Sequence, residues 1–282
     1  EICLSDWSSD VCSSDLGMWD RIPDASISLI KDAKVLNGNL NSPLFFDHRT
    51  SGKDNLGYMI SNHLIRKAAY EVVKPLKQVT LMTDTDVTSV STESHCGHVT
   101  LKNGKILTAK LVVAADSRFS TTRRMMGIPV AMRDFGRVCI VCRMKLDRDH
   151  DDTAYECFFY DRTLAILPLN GLYCSVVITI ASDHADTILK QSPAEFGAEI
   201  SARMEGKFGN MSLDTELFPY PLVGTYADRF YAQRYALMGD AAVGMHPVTA
   251  HGYNFGLYGV DVLSALLAAA RRAGRDLGAI EV

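Results

Sequence analysis

The 282-residue sequence predicts an α/β protein whose parallel, ligand-binding sheet is interrupted by an antiparallel one. Three observations predict it. The apolar run Tyr235 to Met238 stops at Gly239-Asp240, as a buried parallel strand does at its carboxyl end, and a Leu/Ala-rich helix from Leu257 to Ala270 follows. Leu111 to Ala114 is a second such strand, closing at Asp116. Between the two lies a different texture, in which Val138 to Met144, Tyr155 to Tyr160, Thr163 to Leu167 and Leu172 to Ile180 are broken by Asp161-Arg162 and Asn170-Gly171. That is a hairpin meander, hence an antiparallel sheet.

Taken in order, the chain opens on Ser5 to Leu16, a Ser/Asp-dominated stretch with neither helical nor strand period. It reads as a sequencing adapter translated in frame, so residues 1–16 are expected to be a non-native leader and are set aside from the fold. From Met18 short apolar runs alternate with turn signals such as Asn37-Gly38. Asn62 to Val73 then reads as a helix, with Asn62 as N-cap and Leu64, Ile65, Ala68, Ala69 and Val72 on one face. Strands are expected at Val79 to Met82, Val87 to Val90, Val99 to Leu101 and Ile106 to Leu107, the last two joined by Asn103-Gly104. After the meander come a helix from Pro193 to Phe208 and a strand from Leu217 to Val223. This division puts one domain at 17–128 plus 226–282 and the antiparallel sheet at 129–225. No terminating signal closes Arg275 to Val282, and the chain is expected to be cut at both ends.

Composition narrows the classes. With 47% hydrophobic residues and 22% charged, the material is that of a globular core. A net charge of −4 gives no reason to expect nucleic acid as a partner. No run of eighteen apolar residues exists, so no membrane span is expected. Cys139, Cys142, Cys157 and Cys174 fall in apolar strand-like runs, the placement of reduced, buried thiols. Cys139 and Cys142 have C-x-x-C spacing, but in a strand they point to opposite faces, so neither zinc nor redox work is assigned to them. His95-Cys96-Gly97-His98 sits between two alternating runs and reads as a hairpin turn rather than a metal cluster.

The chemistry lies at the two strand ends. Asp240, beyond the carboxyl end of a strand, is an acceptor-only carboxylate suited to ribose or ribityl hydroxyls. Ala241 follows it, His246-Pro247 makes a rigid turn, and Gly252, Tyr253, Asn254 and Gly256 open the helix, where free N–H groups favour negative charge. At the other end Asp116 is followed by Ser120 and Arg123. A guanidinium matches phosphate, so Arg123 is aimed at one, while Arg118 and Arg124 read as solvated charges. No G-x-G-x-x-G follows a strand anywhere.

Gly-Asp-Ala-Ala followed by His-Pro and Gly-x-Asn resembles the second FAD signature of the flavin-dependent aromatic hydroxylases. The Asp116 segment, closing at Gly127-Ile128, resembles their shorter motif. Ala115 and Ser117 depart from it; serine where glycine is usual is strained if that position needs a positive φ. Thr249 to Asn254, Gly259 and Gly57-Tyr58 with Asn62-His63 look closest to the ubiquinone-biosynthesis branch, in particular its demethoxyubiquinol hydroxylases.

The resemblance implies an FAD-binding domain of the glutathione-reductase-like Rossmann type, lacking its first βαβ unit, plus an antiparallel substrate domain. It implies that Gly239, Asp240, Ala241, Pro247, Gly252, Tyr253, Asn254, Asp116 and Arg123 bind FAD. His63 either approaches the cofactor or is a surface histidine on the first helical turn. The implied reaction is hydroxylation of a phenol or quinol ring, polyprenylated in that branch. It uses O₂, a C4a-hydroperoxyflavin and NAD(P)H as reductant, with the enzyme cytoplasmic or peripheral at the inner membrane, alone or in a biosynthetic complex. No catalytic acid or base is assigned, and His246 and His251 are as readily turn residues as pH-dependent groups. The sheet face bearing Leu167-Pro168-Leu169 and Tyr220-Pro221 is the expected substrate surface. Hydroxylation of a soluble phenol, flavin reduction, and non-enzymatic quinone or lipid binding are the alternatives. A chain lacking the first unit should expose core and bind FAD poorly.

Overall fold

A computed structural model describes residues 2–5, 16–38, 43–52, 54–246 and 251–282, with residues 2–5 and 51 as backbone only. The expected leader lies mostly outside these residues, as does Pro247. In chain order the first strands are β1 (Ile2–Ser5), β2 (Ile27–Ile30), β3 (Asp32–Asn37), β4 (Leu44–Asp47) and β5 (Gly57–Ile60), followed by helix α1 (Asn62–Val73). Next come β6 (Val87–Thr92), β7 (Gly97–Leu101), β8 (Ile106–Ala109), β9 (Val112–Ala114), α2 (Thr121–Met125) and β10 (Val130–Lys145). The meander holds β11 (Thr153–Phe158), β12 (Arg162–Leu169) and β13 (Tyr173–Ala181), then α3 (Ala185–Leu189), α4 (Pro193–Arg203) and β14 (Ser212–Leu213). The chain continues with β15 (Phe218–Ala227), β16 (Tyr231–Ala232), β17 (Tyr235–Leu237), β18 (Val243–Gly244) and α5 (Gly252–Arg272).

Two compact units emerge among the described residues, one drawn from 2–5, 18–69 and 134–222 and the other from 70–133 and 223–282. The sequence division kept 17–128 together. The structure instead groups 18–69 with the antiparallel sheet, because β3 pairs in parallel with β11, Asp32 opposite Thr153 through Asn37 opposite Phe158. A six-residue strand that returns to the sheet edge is not visible in hydrophobic pattern.

In the first unit the order β10-β13-β12-β11-β3-β4 is antiparallel except for the β3–β11 pair. Alternation along the strands sends Ile140, Cys142, Met144, Tyr155, Cys157, Leu164, Ile166, Val176 and Ile178 to one face, where Ile188, Phe196 and Ile200 of α3 and α4 cover them. Burying each such aliphatic chain stabilises by about 1.5–3 kcal/mol. Ser192 caps α4 with a reciprocal Glu195 bond, a capping box with Pro193 at the first helical position. That helix ends at Arg203, short of the expected Phe208. Cys139, by contrast, lies on the opposite face, where Thr179 donates to its sulfur, so the C-x-x-C pair is split as alternation requires.

The second unit contains the hairpins β6-β7-β8 and the small sheet β16-β17-β9, in which β17 and β9 run parallel, Tyr235 opposite Val112 and Leu237 opposite Ala114. Its core is Val90, Ala114, Ile128, Ala227, Tyr235, Leu237, Ala241 and Ala242. Two expectations are corrected. Val79 to Met82 is not a strand: Val79, Leu81 and Met82 are exposed, and β propensity without a partner edge forms no ladder. Asn62 is the first residue of α1 rather than its cap, since Leu64 and Ile65 donate to the Ser61 carbonyl. The 21-residue α5 is also long and apolar enough by length and composition to cross a bilayer, a property the search for eighteen consecutive apolar residues missed.

Candidate functional site

Both aspartates stand beyond the same end of the parallel pair. Met238 N–H donates to the Ala114 carbonyl at 2.8 Å, the last rung before each strand leaves the sheet. Gly239 then takes φ +54°, a left-handed turn open to glycine, and a single 3₁₀ turn through Ala241 presents Asp240 outward. Its side chain is 42% exposed, enough to meet a ligand.

Arg118 holds that carboxylate. Its Nε and Nη2 donate to Asp240 Oδ2 at 3.3 and 3.1 Å, and its Nη1 donates to the Val223 carbonyl at 3.0 Å. The sequence reading assigned Arg118 to solvent and Arg123 to phosphate; the structure pairs Arg118 with Asp240 and buries Arg123. Arg123 is 1% exposed, donating from Nη1 to the Ala241 carbonyl at 2.6 Å and from Nη2 to the Arg118 carbonyl at 3.1 Å. Its Nε is buried with no acceptor among the described residues. A guanidinium committed to main-chain carbonyls cannot face a phosphate, and Arg123 is instead the brace between the two strand-end segments.

Asp116 is equally committed. Ser120 Oγ donates to its Oδ1 at 2.6 Å, and Thr122 N–H and Thr121 Oγ1 donate to its Oδ2 at 3.2 and 3.4 Å. Burial alone would push this carboxyl up, but the bonds from Ser120 and Thr122 outweigh it and hold it below the ordinary carboxylate range. Ser120 in turn caps α2 by accepting from Arg123 N–H at 2.9 Å. Tyr235, fully buried, donates its hydroxyl to Thr122 Oγ1 at 3.0 Å. Ser117 sits at φ +156°, in the region that favours glycine, as the departure from the family motif led one to expect.

The start of α5 packs closely on the Asp240 turn. A Cβ on Gly256 would stand 3.9 Å from the Gly239 Cα and one on Gly259 3.2 Å from Met238 Cε, whereas at Gly252 it would meet nothing within 4 Å. His251 precedes the helix and gives it no side-chain cap among the described residues. Asn254 is buried and Tyr253 lies in the same first turn. An outward carboxylate, an arginine fixing it and the positive end of a 21-residue helix beside them suit a hydroxyl- and phosphate-bearing ligand; the residues fit FAD. The 520 Å³ cavity under α5, lined by Leu237, Phe255, Leu263, Leu266 and Leu277, is too apolar for that role.

Other expected positions lie apart. His63 is exposed on the first turn of α1, in the first unit. Leu167 and Leu169, half-buried, pack against a small cluster of Ile30, Met59 and Ala154. The residue that sequence reasoning missed is Arg118; its only signal was proximity to Asp116, shared with Arg123 and Arg124.

Comparison with known proteins follows the same lines. The family model for an FAD binding domain matches residues 60–278. Among curated relatives, ubiquinone hydroxylase UbiM of Neisseria meningitidis is 49% identical over 99% of this chain and 61% of its own length. Ubiquinone hydroxylase UbiL of Rhodospirillum rubrum is 35% identical over 94% of the chain and 61% of its own length. The 3-demethoxyubiquinol 3-hydroxylase of Escherichia coli is 28% identical over 92% and 66%. The chain thus spans about three-fifths of the length of the first of these. In three dimensions it resembles Pseudomonas aeruginosa PqsL (TM-score 0.82, 18% identity, 98% of this chain and 77% of that one). It also resembles CmlS, a flavin-dependent halogenase (TM-score 0.72, 20% identity, 93% and 49%). These likenesses establish the fold, an α/β architecture with an antiparallel sheet, and the match over most of the sequence establishes the rest: this chain belongs to the FAD-binding-domain family.

Proposed function

We propose that this chain is the greater part of an FAD-dependent monooxygenase that hydroxylates an aromatic or quinol ring in ubiquinone biosynthesis, with O₂ as co-substrate and NAD(P)H as reductant. The observation that carries the proposal is the Asp240 turn with its Arg118 brace beside the start of α5, in a sequence 49% identical to a ubiquinone hydroxylase.

FAD supplies the redox and oxygen-transfer chemistry. The protein's residues supply position. Asp240 accepts from the ribityl or ribose hydroxyls while Arg118 keeps its other oxygen fixed, so the acceptor is aimed before the ligand arrives. Gly239 and Gly252 let main chain approach the ligand, Ala241 continues the turn, and the positive end of α5, at Gly252, Tyr253 and Asn254, stabilises negative charge on the ring system. Pro247 is proposed to complete the cradle and His63 to approach the cofactor. Asp116 contributes through α2, whose start it orders, rather than by direct contact. The substrate proposed is a polyprenylated quinol, which requires peripheral membrane access or a biosynthetic complex.

The test has two readouts. FAD titrated into the protein should quench its fluorescence in wild type, and in Asp240→Ala only at about tenfold or more higher concentration. With FAD bound, NAD(P)H-dependent O₂ consumption should rise with a short-chain demethoxyubiquinol and yield a product heavier by one oxygen. FAD binding with no hydroxylated product from the quinol, but product from a soluble phenol, would replace the substrate; FAD affinity equal in wild type and Asp240→Ala would end the proposal.

A further inference from the structure

The β6–β7 hairpin gathers three side chains of different chemistry at one point. Glu93 N–H donates to the Cys96 carbonyl at 2.9 Å, closing a turn over Ser94 and His95. Glu93 and Cys96 therefore face each other across the ladder, and directly opposed residues project to the same side. His98 is two residues beyond Cys96, on the same side again by the period of a strand. The result is Cys96 Sγ 3.2 Å from His98 Nε2, His98 Nε2 3.7 Å from Glu93 Oε1, and all three ligand atoms within 4.8 Å of one another.

Those separations have a meaning. A tetrahedral Zn²⁺ with ordinary bond lengths of about 2.3 Å to sulfur and about 2.0–2.1 Å to nitrogen or oxygen separates its S and N ligands by about 3.5 Å and its N and O ligands by about 3.4 Å. The hairpin holds its donors close to both spacings before any ion arrives. Its base is also fixed. Arg234, 2% exposed, donates from Nε and Nη2 to the Ser94 carbonyl at 3.0 and 2.7 Å, and from Nη1 to the Lys110 carbonyl at 3.0 Å. A Cβ on Gly97 would stand 2.8 Å from Val112 Cγ2, so the hairpin seats against β9 only because glycine is there.

We propose that Glu93, Cys96 and His98 form a binding site for a divalent, borderline-soft cation of the Zn²⁺ type, with solvent completing the coordination. Coordination converts the Cys96 thiol to thiolate and releases one proton per ion, with neutral His98 donating through Nε2. The ion staples the hairpin and stabilises the second unit. The second cluster of ligating groups, Asp32, Asp47 and His48, is not equivalent: both Asp47 oxygens are engaged by Arg49 at 2.6–3.0 Å, and Asp32 Oδ1 accepts from His48. Cys139, Cys142, Cys157 and Cys174 are buried, leaving Cys96 as the accessible thiol among the described residues.

Cobalt is the probe. Co²⁺ titrated into the chelator-treated 282-residue chain should give a sulfur-to-cobalt charge-transfer band and strong visible bands saturating at one ion per chain, both erased by Zn²⁺. Cys3 and Cys12 are further thiols, so the variants decide. Cys96→Ser should abolish the charge-transfer band, and His98→Ala should weaken binding by more than about 100-fold, beyond the roughly 10–100-fold that loss of an outer-shell contact costs. Glu93→Gln should weaken it less. Zn²⁺ should raise the melting temperature of wild type and leave that of Cys96→Ser unchanged. Three results would each overturn the proposal: no Co²⁺ uptake, a charge-transfer band that survives Cys96→Ser, or binding indifferent to His98.

Discussion

The two strand-end segments of the second unit begin alike and end differently. Each is an apolar parallel strand closing at an aspartate with arginine nearby, yet Asp116 accepts from three donors of its own segment while Asp240 points outward and is steadied by an arginine from the other. Arg123 and Arg118 divide in the same way, one buried under main-chain carbonyls and one half-open beside a carboxylate. The pairing is crossed: the Asp116 segment supplies the arginine that aims Asp240 and the arginine that accepts no ligand at all. A binding site of this kind rests on a neighbouring segment that is fully satisfied internally, because an acceptor kept free for a ligand needs a rigid mount.

The sharpest way to break this comparison is Arg123→Ala. It strips donors from the Ala241 and Arg118 carbonyls and leaves a cavity, so stability should fall by about 3 kcal/mol or more, read from the denaturant midpoint. A loss below about 0.5 kcal/mol would mean Arg123 is not the brace. Glu156 sharpens the contrast from the first unit. Where donors hold Asp116 low, burial alone pushes the Glu156 carboxyl from its ordinary 4.5 up to about 7. The folded state then binds more protons than the unfolded one between those values. Its contribution is greatest below pH 4.5, falls as pH rises, and is lost above about pH 7, by at most about 3 kcal/mol. Glu156→Gln should flatten that part of the stability profile measured by urea unfolding from pH 5 to pH 8; an unchanged slope would exclude Glu156 as its source.

Asp240→Ala should do the reverse of Arg123→Ala, weakening FAD binding by about tenfold or more while shifting stability by less than about 1 kcal/mol, as expected for a half-exposed ion pair. Flavin fluorescence titration and a thermal melt on the same sample separate the two effects. Arg118→Ala should follow Asp240→Ala in affinity, since it acts only through that carboxylate; independent, additive losses would show that Arg118 touches the ligand itself.

Much of this was legible beforehand because strand ends are marked locally. Gly239-Asp240, the Asn103-Gly104 turn and α1 from Asn62 to Val73 are written in adjacent residues, and alternation separated Cys139 from Cys142. What failed needed a partner distant in sequence. Val79 to Met82 has strand composition but no edge to join. β3 was grouped with the wrong unit because its parallel partner lies more than a hundred residues away. Arg118 and Arg123 differ in fate only through Asp240 and Ala241, about 120 positions on, so nothing near them in the chain tells them apart. The hairpin at Glu93 was read correctly as a turn; that Glu93 would join Cys96 and His98 follows from its register.

The smallest expected effect tests the most local claim. Ser117 at φ +156° follows Asp116 and precedes Arg118, so it joins the internally satisfied aspartate to the arginine that serves the other one. Holding a residue with a side chain in that region costs of order 1–3 kcal/mol, and glycine relieves it at the cost of a more flexible unfolded chain, about 0.5–1 kcal/mol. Ser117→Gly should therefore raise stability by about 1 kcal/mol, while Ser117→Ala, which keeps a Cβ, should not. If strain at this joint also sharpens the aim of Arg118, the glycine variant will gain stability and lose FAD affinity together. If it only reflects a tolerated substitution, stability will rise with affinity unchanged, and the precision of the Asp240 mount will be traced to Arg123 alone.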